Sequence, residues 1–266
     1  MAIQPFFALS TDTYFVRRVH QAGITQTYAY SPDPSRCRTT GVPDGSIDIQ
    51  FDFYQNDVRA LVLGPVPSNN VLETEPGHFY FGIRFDPGVL PPFIDGKFRD
   101  FCDQVVPLDD CITDRKLEED LIQSHFMGMR TDILLQAMHY HVDAEKDVAQ
   151  KLFVDAVIQW IVKSKGCIRM DELAAHMQYS TRYIDKVFSQ TMGISPKQFS
   201  QAIRFQNTLS QLTHGRSIKM VDLAQLCGYY DQSQMTRYFK SATGLTPKKY
   251  RDQIVNSNYE SKFINC

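Results

Sequence analysis

Residues 173–199 read LAAHMQYSTRYIDKVFSQTMGISPKQF, and residues 223–250 read LAQLCGYYDQSQMTRYFKSATGLTPKKY. The two stretches are degenerate copies of one pattern. Leu173-Ala174 returns as Leu223-Ala224, and Tyr179 returns as Tyr229. Phe188, Gly193 and Pro196 return as Phe239, Gly244 and Pro247, and Phe199 is answered by Tyr250. The offset is 50 residues before the middle turn and 51 after it, so the second copy carries one extra residue in that turn. Each copy spells a short helix, a turn and a second amphipathic helix that ends at a Gly-x-[Ser/Thr]-Pro stop. Two helix-turn-helix units in one chain offer two helices to the major groove of DNA.

In the first unit Met170–Met177 is the expected positioning helix. Ser180 is a good N-cap for a recognition helix running to about Gln190. Ile184, Val187 and Phe188 supply its buried side, which leaves Thr181, Arg182, Asp185, Lys186 and Ser189 outside. Arg182 and Lys186 stand one turn apart and can reach guanine edges or phosphates. Asp185 can accept from an amino group such as cytosine N4, but a local ion pair with Arg182 or Lys186 is the expected use. In the second unit Val221–Cys227 is the positioning helix, Gly228 ends it, Tyr229-Tyr230 make the turn and Asp231 caps the recognition helix. Met235, Tyr238 and Phe239 face the core, leaving Gln232, Ser233, Gln234, Thr236 and Arg237 exposed. Gln pairs bidentately with adenine and Arg with guanine. The candidate DNA-binding set is therefore Ser180, Thr181, Arg182, Asp185 and Lys186 with Gln232, Ser233, Gln234, Thr236 and Arg237. Between the units Pro196–Leu212 reads as one long helix with Phe199, Ile203, Leu209 and Leu212 on its apolar side. Lys197, Lys219, Lys248 and Lys249 lie near helix starts, where backbone N–H groups also favour phosphate.

Charge divides the chain in the same way. Residues 1–150 hold 12 Lys+Arg against 22 Asp+Glu, a net −10; residues 151–256 hold 15 against 7, a net +8. A basic C-terminal part is the electrostatic footprint of nucleic-acid binding, and phosphate repels the acidic part. Eleven of the 13 prolines lie at or before Pro107. The N-terminal part is therefore turn-rich, with strands expected at Thr25–Tyr30, Ser46–Phe53, Arg59–Leu63 and His78–Phe85. Alternation over Ile47–Phe53 puts Ile47, Ile49, Phe51 and Phe53 on a buried face, and Asp48, Gln50 and Asp52 on the other. From Thr113 the spacing turns helical. Asp114–Gly128 carries a stripe of Leu117, Leu121, Ile122 and Phe126, and Thr131–Tyr140 one of Ile133, Leu134, Ala137 and Met138. A packed helical hairpin is the plain expectation for this segment, and a dimer surface the sharper one. Residues 145–164 read as a helix with a core stripe of Val148, Leu152, Ala156, Trp160 and Ile161, ended by Gly166.

These stretches resemble a known family. Residues 147–256 resemble the DNA-binding domain of the AraC/XylS family of bacterial transcription regulators. The likeness is carried by the two copies, by QAIRFQNTLSQL at 201–212 and above all by the CGYYDQS run at Cys227–Ser233. It implies that Thr181, Arg182, Asp185 and Lys186 read bases in the first unit, and Gln232, Ser233, Gln234 and Arg237 in the second. Met177-Gln178 departs from the pattern, which usually has a small residue there. PDGSIDIQFDF (43–53), FGIRFDPG (81–88) and VVPLDD (105–110) resemble an N-terminal domain of some AraC-like regulators. That resemblance implies a β-rich, cupin-like fold for sensing or dimerisation.

The expected architecture is α+β in two domains: a β-rich regulatory domain over 1–112, a helical linker or dimerisation segment over 113–144, a double helix-turn-helix over 145–256 and a tail over 257–266. Expected partners are double-stranded DNA, RNA polymerase, a small-molecule effector bound to the N-terminal domain, and a second copy of the chain. An effector-independent regulator, whose N-terminal domain only dimerises or contacts a protein, is the alternative. No catalytic residue, metal site or cofactor is expected. Asp48 and Asp52, four apart on one strand, stand roughly 13 Å apart, beyond the about 5–9.5 Å of paired glycosidase carboxylates. The histidines form no ligand cluster, since the side chains of His139 and His141 diverge on a helix. Cys37, Cys102, Cys111, Cys167, Cys227 and Cys266 include no C-x-x-C pair, so reduced structural thiols are expected. No apolar run approaches the roughly 20 residues that span a bilayer. Met1–Ser10 lacks a basic segment ahead of its apolar stretch, so the cytoplasm is the expected compartment.

Overall fold

The structure is a computed structural model that describes residues 4–35, 38–66, 70–124, 126–140, 148–214 and 218–265. Cys37, His141, residues 145–147 of the expected helix and Cys266 lie outside them. A short helix, α1 (Pro5–Leu9), precedes eight strands: β1 (Tyr14–Gln21), β2 (Ile24–Tyr30), β3 (Arg38–Gly41), β4 (Asp48–Tyr54), β5 (Asp57–Leu63), β6 (Asn70–Glu73), β7 (Phe79–Phe85) and β8 (Val105–Pro107). The helices are α2 (Arg115–Gln123), α3 (Met127–Tyr140), α4 (Val148–Lys163), α5 (Met170–Met177), α6 (Thr181–Met192), α7 (Pro196–His214), α8 (Met220–Leu226), α9 (Gln232–Thr243) and α10 (Pro247–Asn256), and strand β9 (Phe263–Asn265) closes the chain. The fold is α+β: a β-rich N-terminal sheet domain followed by an all-helical domain with two helix-turn-helix units. One sheet runs in the order β8-β5-β4-β7-β2-β1-β9, and β3 pairs with β6 in a second. Strands pair antiparallel except β9, which lies parallel to β1. No helix among the described residues is long and apolar enough to cross a membrane.

The alternation of β4 works as expected on one side. Ile47, Ile49 and Phe51 are fully buried, and in register Ile49 faces Ile83 and Phe51 faces Phe81 of β7. The other side is not the solvent face that alternation suggests. Asp48 and Gln50 are buried as well. Asp48 accepts from Arg84 Nε (2.8 Å), Arg84 Nη2 (2.7 Å) and the Tyr28 hydroxyl (2.7 Å). Asp44 lies 3.3 Å from Arg84 Nη1. Its carboxyl is pushed above the usual aspartate range by burial, against the pull of Arg84. A charge can stay inside only when paired, so Arg84 is what allows this face to be covered. Tyr14, Tyr28, Tyr30 and Tyr80 stack beside it, Tyr30 and Tyr80 at 5.2 Å between centroids. Asp52 instead meets His78 Nδ1 at 2.7 Å.

Both faces of the sheet continue into the helical part. One core joins Ile83 and Phe85 to Leu121 and Leu134 of α2 and α3, to Val157 and Ile158 of α4, and to Phe188 and Phe199. The other joins Phe7 and the tyrosines to Phe205, Leu209 and Tyr250. Gly45, at φ 72°, sits where a Cβ would come within 2.6 Å of the Phe199 ring. Gln206 Nε2 donates to the Pro43 carbonyl at 2.7 Å. The last residues return to the sheet: Tyr259 is buried, Lys262 Nζ donates to the Thr11 carbonyl (2.6 Å) and β9 covers the edge of β1. Nothing in the local pattern of 257–266 announced a strand.

Two helical stripes differ from expectation. On α4 the buried residues are Val154, Val157, Ile158 and Ile161, whereas Val148 and Leu152 are exposed and Trp160 is half-buried, stacked on His176 at 4.2 Å. Apolar residues occupy most sides of this helix, so periodicity alone does not select the packed one. On α2 Leu117 and Leu121 are buried, but the helix ends at Gln123 and Phe126 lies exposed in the connection to α3. The apolar side of α3, with Leu134, Ala137 and Met138, packs on the sheet.

Candidate nucleic-acid interface

The two units share one construction. In the first, Leu173 anchors α5, Tyr179 N–H donates to the Ala174 carbonyl (3.2 Å), and Ser180 caps α6 by accepting from Tyr183 N–H (3.2 Å). In the second, Leu223 anchors α8, Tyr229 N–H donates to the Ala224 carbonyl (2.9 Å), and Asp231 caps α9 by accepting from Gln234 N–H (2.6 Å). The same aromatic pair locks each recognition helix to the next one: Phe188 on Phe199 at 5.6 Å, Phe239 on Tyr250 at 5.4 Å. The turns differ where the sequence departs from its pattern. Gln178 holds a left-handed conformation (φ 58°) that Gly228 holds in the second unit (φ 73°).

With Ile184 and Phe188 buried, α6 presents Thr181, Arg182, Asp185 and Lys186 to solvent beside the exposed cap Ser180. The expected local ion pair is absent: Asp185 contacts neither Arg182 nor Lys186 within 4 Å, so among the described residues all three face outward unpaired with one another. With Met235 and Phe239 buried, α9 presents Gln232, Ser233, Gln234 and Arg237, while Thr236 is half-buried. Gln234 is already engaged. Its Oε1 accepts from Tyr230 N–H at 2.9 Å, a variant of the capping box. That occupies one of the two lone pairs of the oxygen and fixes the orientation of the carboxamide. Gln232 keeps both functions. Lys197, Lys248 and Lys249 are exposed in the first turns of α7 and α10, and Lys219 is exposed at the N-cap of α8.

Two positioning features were not singled out in the sequence. Arg204, in the middle of α7, donates from Nε (2.9 Å) and Nη2 (2.7 Å) to the Gly166 carbonyl at the entry of the first unit. Its guanidinium also lies 5.6 Å from the Tyr229 ring in the turn of the second. Cys167 Sγ contacts the Cys227 carbonyl at 3.5 Å, and a Cβ on Gly228 would meet that sulfur at 2.6 Å. One side chain and one tight contact thus join the units. Second, the β-rich part touches the end of α6: Arg99 Nη1 donates to the Gln190 carbonyl (3.0 Å) and Cys102 Sγ to the Met192 carbonyl (3.2 Å). Burial, reinforced by neighbouring aspartates, pushes the Cys102 and Cys111 thiols up to about 11, which suits structural thiols. No three His, Cys, Asp or Glu gather as a metal site among the described residues.

Residues 173–253 match the model of a helix-turn-helix domain, and residues 14–107 match that of a domain of unknown function (DUF6597). The C-terminal part of the chain is therefore a helix-turn-helix domain. Among its relatives, the chain is 26% identical over 136 residues to the uncharacterised HTH-type transcriptional regulator YtdP of Bacillus subtilis, covering 51% of this chain and 16% of that one. It is 24% identical over 120 residues to the HTH-type transcriptional activator RhaR of Escherichia coli, covering 45% and 42%. The chain spans less than half the length of these relatives. ToxT of Vibrio cholerae aligns over 91% of this chain and 98% of its own, at 10% identity and a TM-score of 0.46.

Proposed function

We propose that the chain is an AraC-type DNA-binding transcription regulator that reads two half-sites on one face of double-stranded DNA, α6 in one major groove and α9 in the next. The observation that carries it is the pair of exposed polar helix faces joined through Arg204. Helix α7, of 19 residues, spans about 28 Å at 1.5 Å per residue, a length suited to grooves about 34 Å apart. In the first half-site Arg182 and Lys186 address guanine, Asp185 accepts from cytosine N4, and Ser180 and Thr181 contact the groove wall. In the second, Gln232 addresses adenine, Arg237 guanine, and Ser233, Gln234 and Thr236 complete the surface. Lys197, Lys219, Lys248 and Lys249 neutralise phosphates.

A small-molecule effector fits best at the junction of the two parts. Inside the N-terminal part, beside Arg84, Asp44, Ser46 and Gln104, the cavity is only about 40 Å³. Ligand sites are usually about 300–1,000 Å³. Clefts of about 890 Å³, between Arg38 and Lys249, and about 800 Å³, between His20, Asp86 and Lys163, open where the sheet meets α10 and α4. The small size of that cavity favours a second reading, in which the N-terminal part needs no effector and serves dimerisation or contact with a protein such as RNA polymerase. Either form acts in the cytoplasm.

Selection of genomic fragments on the full chain tests the reading. A bipartite motif with half-sites about one turn apart supports it, and no enrichment sinks it. Arg237→Ala should cost about 1–3 kcal/mol and relax preference at one base pair, while Lys248→Ala should weaken all sequences alike. Unchanged binding by Arg237→Ala would mean that α9 does not enter the groove in this register.

A further inference from the structure

The residue by which the second copy exceeds the first can be located. Tyr179 and Tyr229 make the same turn hydrogen bond, and Ser180 and Asp231 make the same cap. The extra residue between them is Tyr230. Its side chain is 92% exposed, the highest among the large apolar side chains of the described residues. Its backbone is held fast, because the N–H is clamped by Gln234 Oε1 and the next residue is the N-cap. A rigid backbone therefore carries a bare aromatic ring at the N-terminal end of α9, next to Gln232 and Ser233. In the first unit the corresponding side is occupied differently: Tyr179 stacks on Tyr183 at 5.0 Å and both lean on Phe153.

We propose that Tyr230 is a DNA-backbone contact of the second unit, its phenol O–H donating to a phosphate oxygen at the lip of the groove that α9 enters. This rests on the reading that α9 lies in a major groove. The first helix of such a unit crosses the sugar–phosphate strand while the start of the recognition helix reaches base edges, so the turn between them, which carries Tyr230, passes the lip of the groove. Tyrosine hydroxyls are common donors to phosphate, and such contacts fix register without reading sequence. The flat ring can also cover the apolar face of a deoxyribose. The second half-site thus gains an anchor that the first lacks.

The test uses the full chain, a duplex carrying its selected site and a random duplex of equal length, titrated at several salt concentrations. Tyr230→Phe, which removes only the hydroxyl, should lower affinity about 2–10-fold, as for one neutral hydrogen bond. Tyr230→Ala should lower it further. Both losses should be equal on the two duplexes. The slope of log K against log salt should stay that of wild type, because no charge is removed, whereas Lys248→Ala should make it shallower by about 0.9. Melting temperatures should not move, since the ring is exposed. Wild-type affinity in Tyr230→Ala overturns the proposal, and a loss confined to the selected site overturns it in favour of a base contact. If wild type binds neither duplex, the groove-entry reading fails and this proposal fails with it; wild-type binding with an inert Tyr230 removes this proposal alone.

Discussion

Arg204→Ala separates a structural link from a DNA contact. The substitution removes two charge-assisted hydrogen bonds to the Gly166 carbonyl and the approach to the Tyr229 ring. The carbonyl itself is not orphaned, because Ser200 Oγ still donates to it at 3.0 Å. Both lost bonds end on one oxygen, so they count as one charged hydrogen bond of about 1.5–3 kcal/mol, and the ring contact adds about 0.5–1 kcal/mol. Stability should fall by about 2–4 kcal/mol in urea, read by circular dichroism. The larger consequence concerns the spacing of the recognition helices. A rigid link makes the second half-site an intramolecular partner, and loosening it lowers the effective concentration. Affinity for a bipartite duplex should therefore fall by about 10-fold or more, and affinity for a single half-site by no more than about 2-fold. Arg204→Lys, with one donor and no planar fork, should lie between. Equal losses on both duplexes, or full bipartite affinity in the destabilised variant, would refute the idea that Arg204 sets the separation.

Other expectations are as direct. Gln178→Gly should raise stability by about 1 kcal/mol, since a left-handed non-glycine residue carries strain of order 1–3 kcal/mol that exceeds the entropy glycine adds to the unfolded chain. A lowered melting temperature would mean that the Gln178 side chain holds the turn. Truncation after Asn258 should lower the melting temperature and promote self-association on size exclusion, because Tyr259 and Phe263 leave their stack and the β1 edge is uncovered; a stable monomer would count against β9. Cys102 and Cys111, raised from 9.0 to about 11, should alkylate at pH 8 roughly 100-fold more slowly than a free cysteine, because the thiolate is the reactive form. Their protons are held more tightly in the folded chain, so stability should decline as pH rises from about 9 towards 11. Alkylation at the rate of a free thiol would mean that neither thiol is held as a structural one.

Much of the local construction of the two units was legible in the sequence. Caps, turns and stops act over four or five residues, so Ser180, Asp231, Gly228 and the buried partners Ile184, Phe188, Met235 and Phe239 could be placed from the chain itself. Gln234 could not be resolved in this way. Its type suits adenine, and only the geometry of the turn reveals that its carboxamide oxygen already accepts from the Tyr230 N–H. In the β-rich part, alternation located β4 but misjudged its polar side, because Asp48 looks the same whether it faces water or Arg84. Strands β3, β6 and β8 are only three or four residues long and carry too little alternation to stand out, and β1, though eight residues long, is mostly polar beyond Val16.

The repeat, the charge division and the bounds of the helices in the two helix-turn-helix units are all local in origin and can be read from the chain. The long-range packing adds that the acidic and basic parts share two cores, that Arg204 ties one unit to the other, and that residues 263–265 return to the first strand. Those contacts join residues tens to hundreds of positions apart. Their free energy comes from burying surfaces and satisfying carbonyls that no short window of sequence brings together.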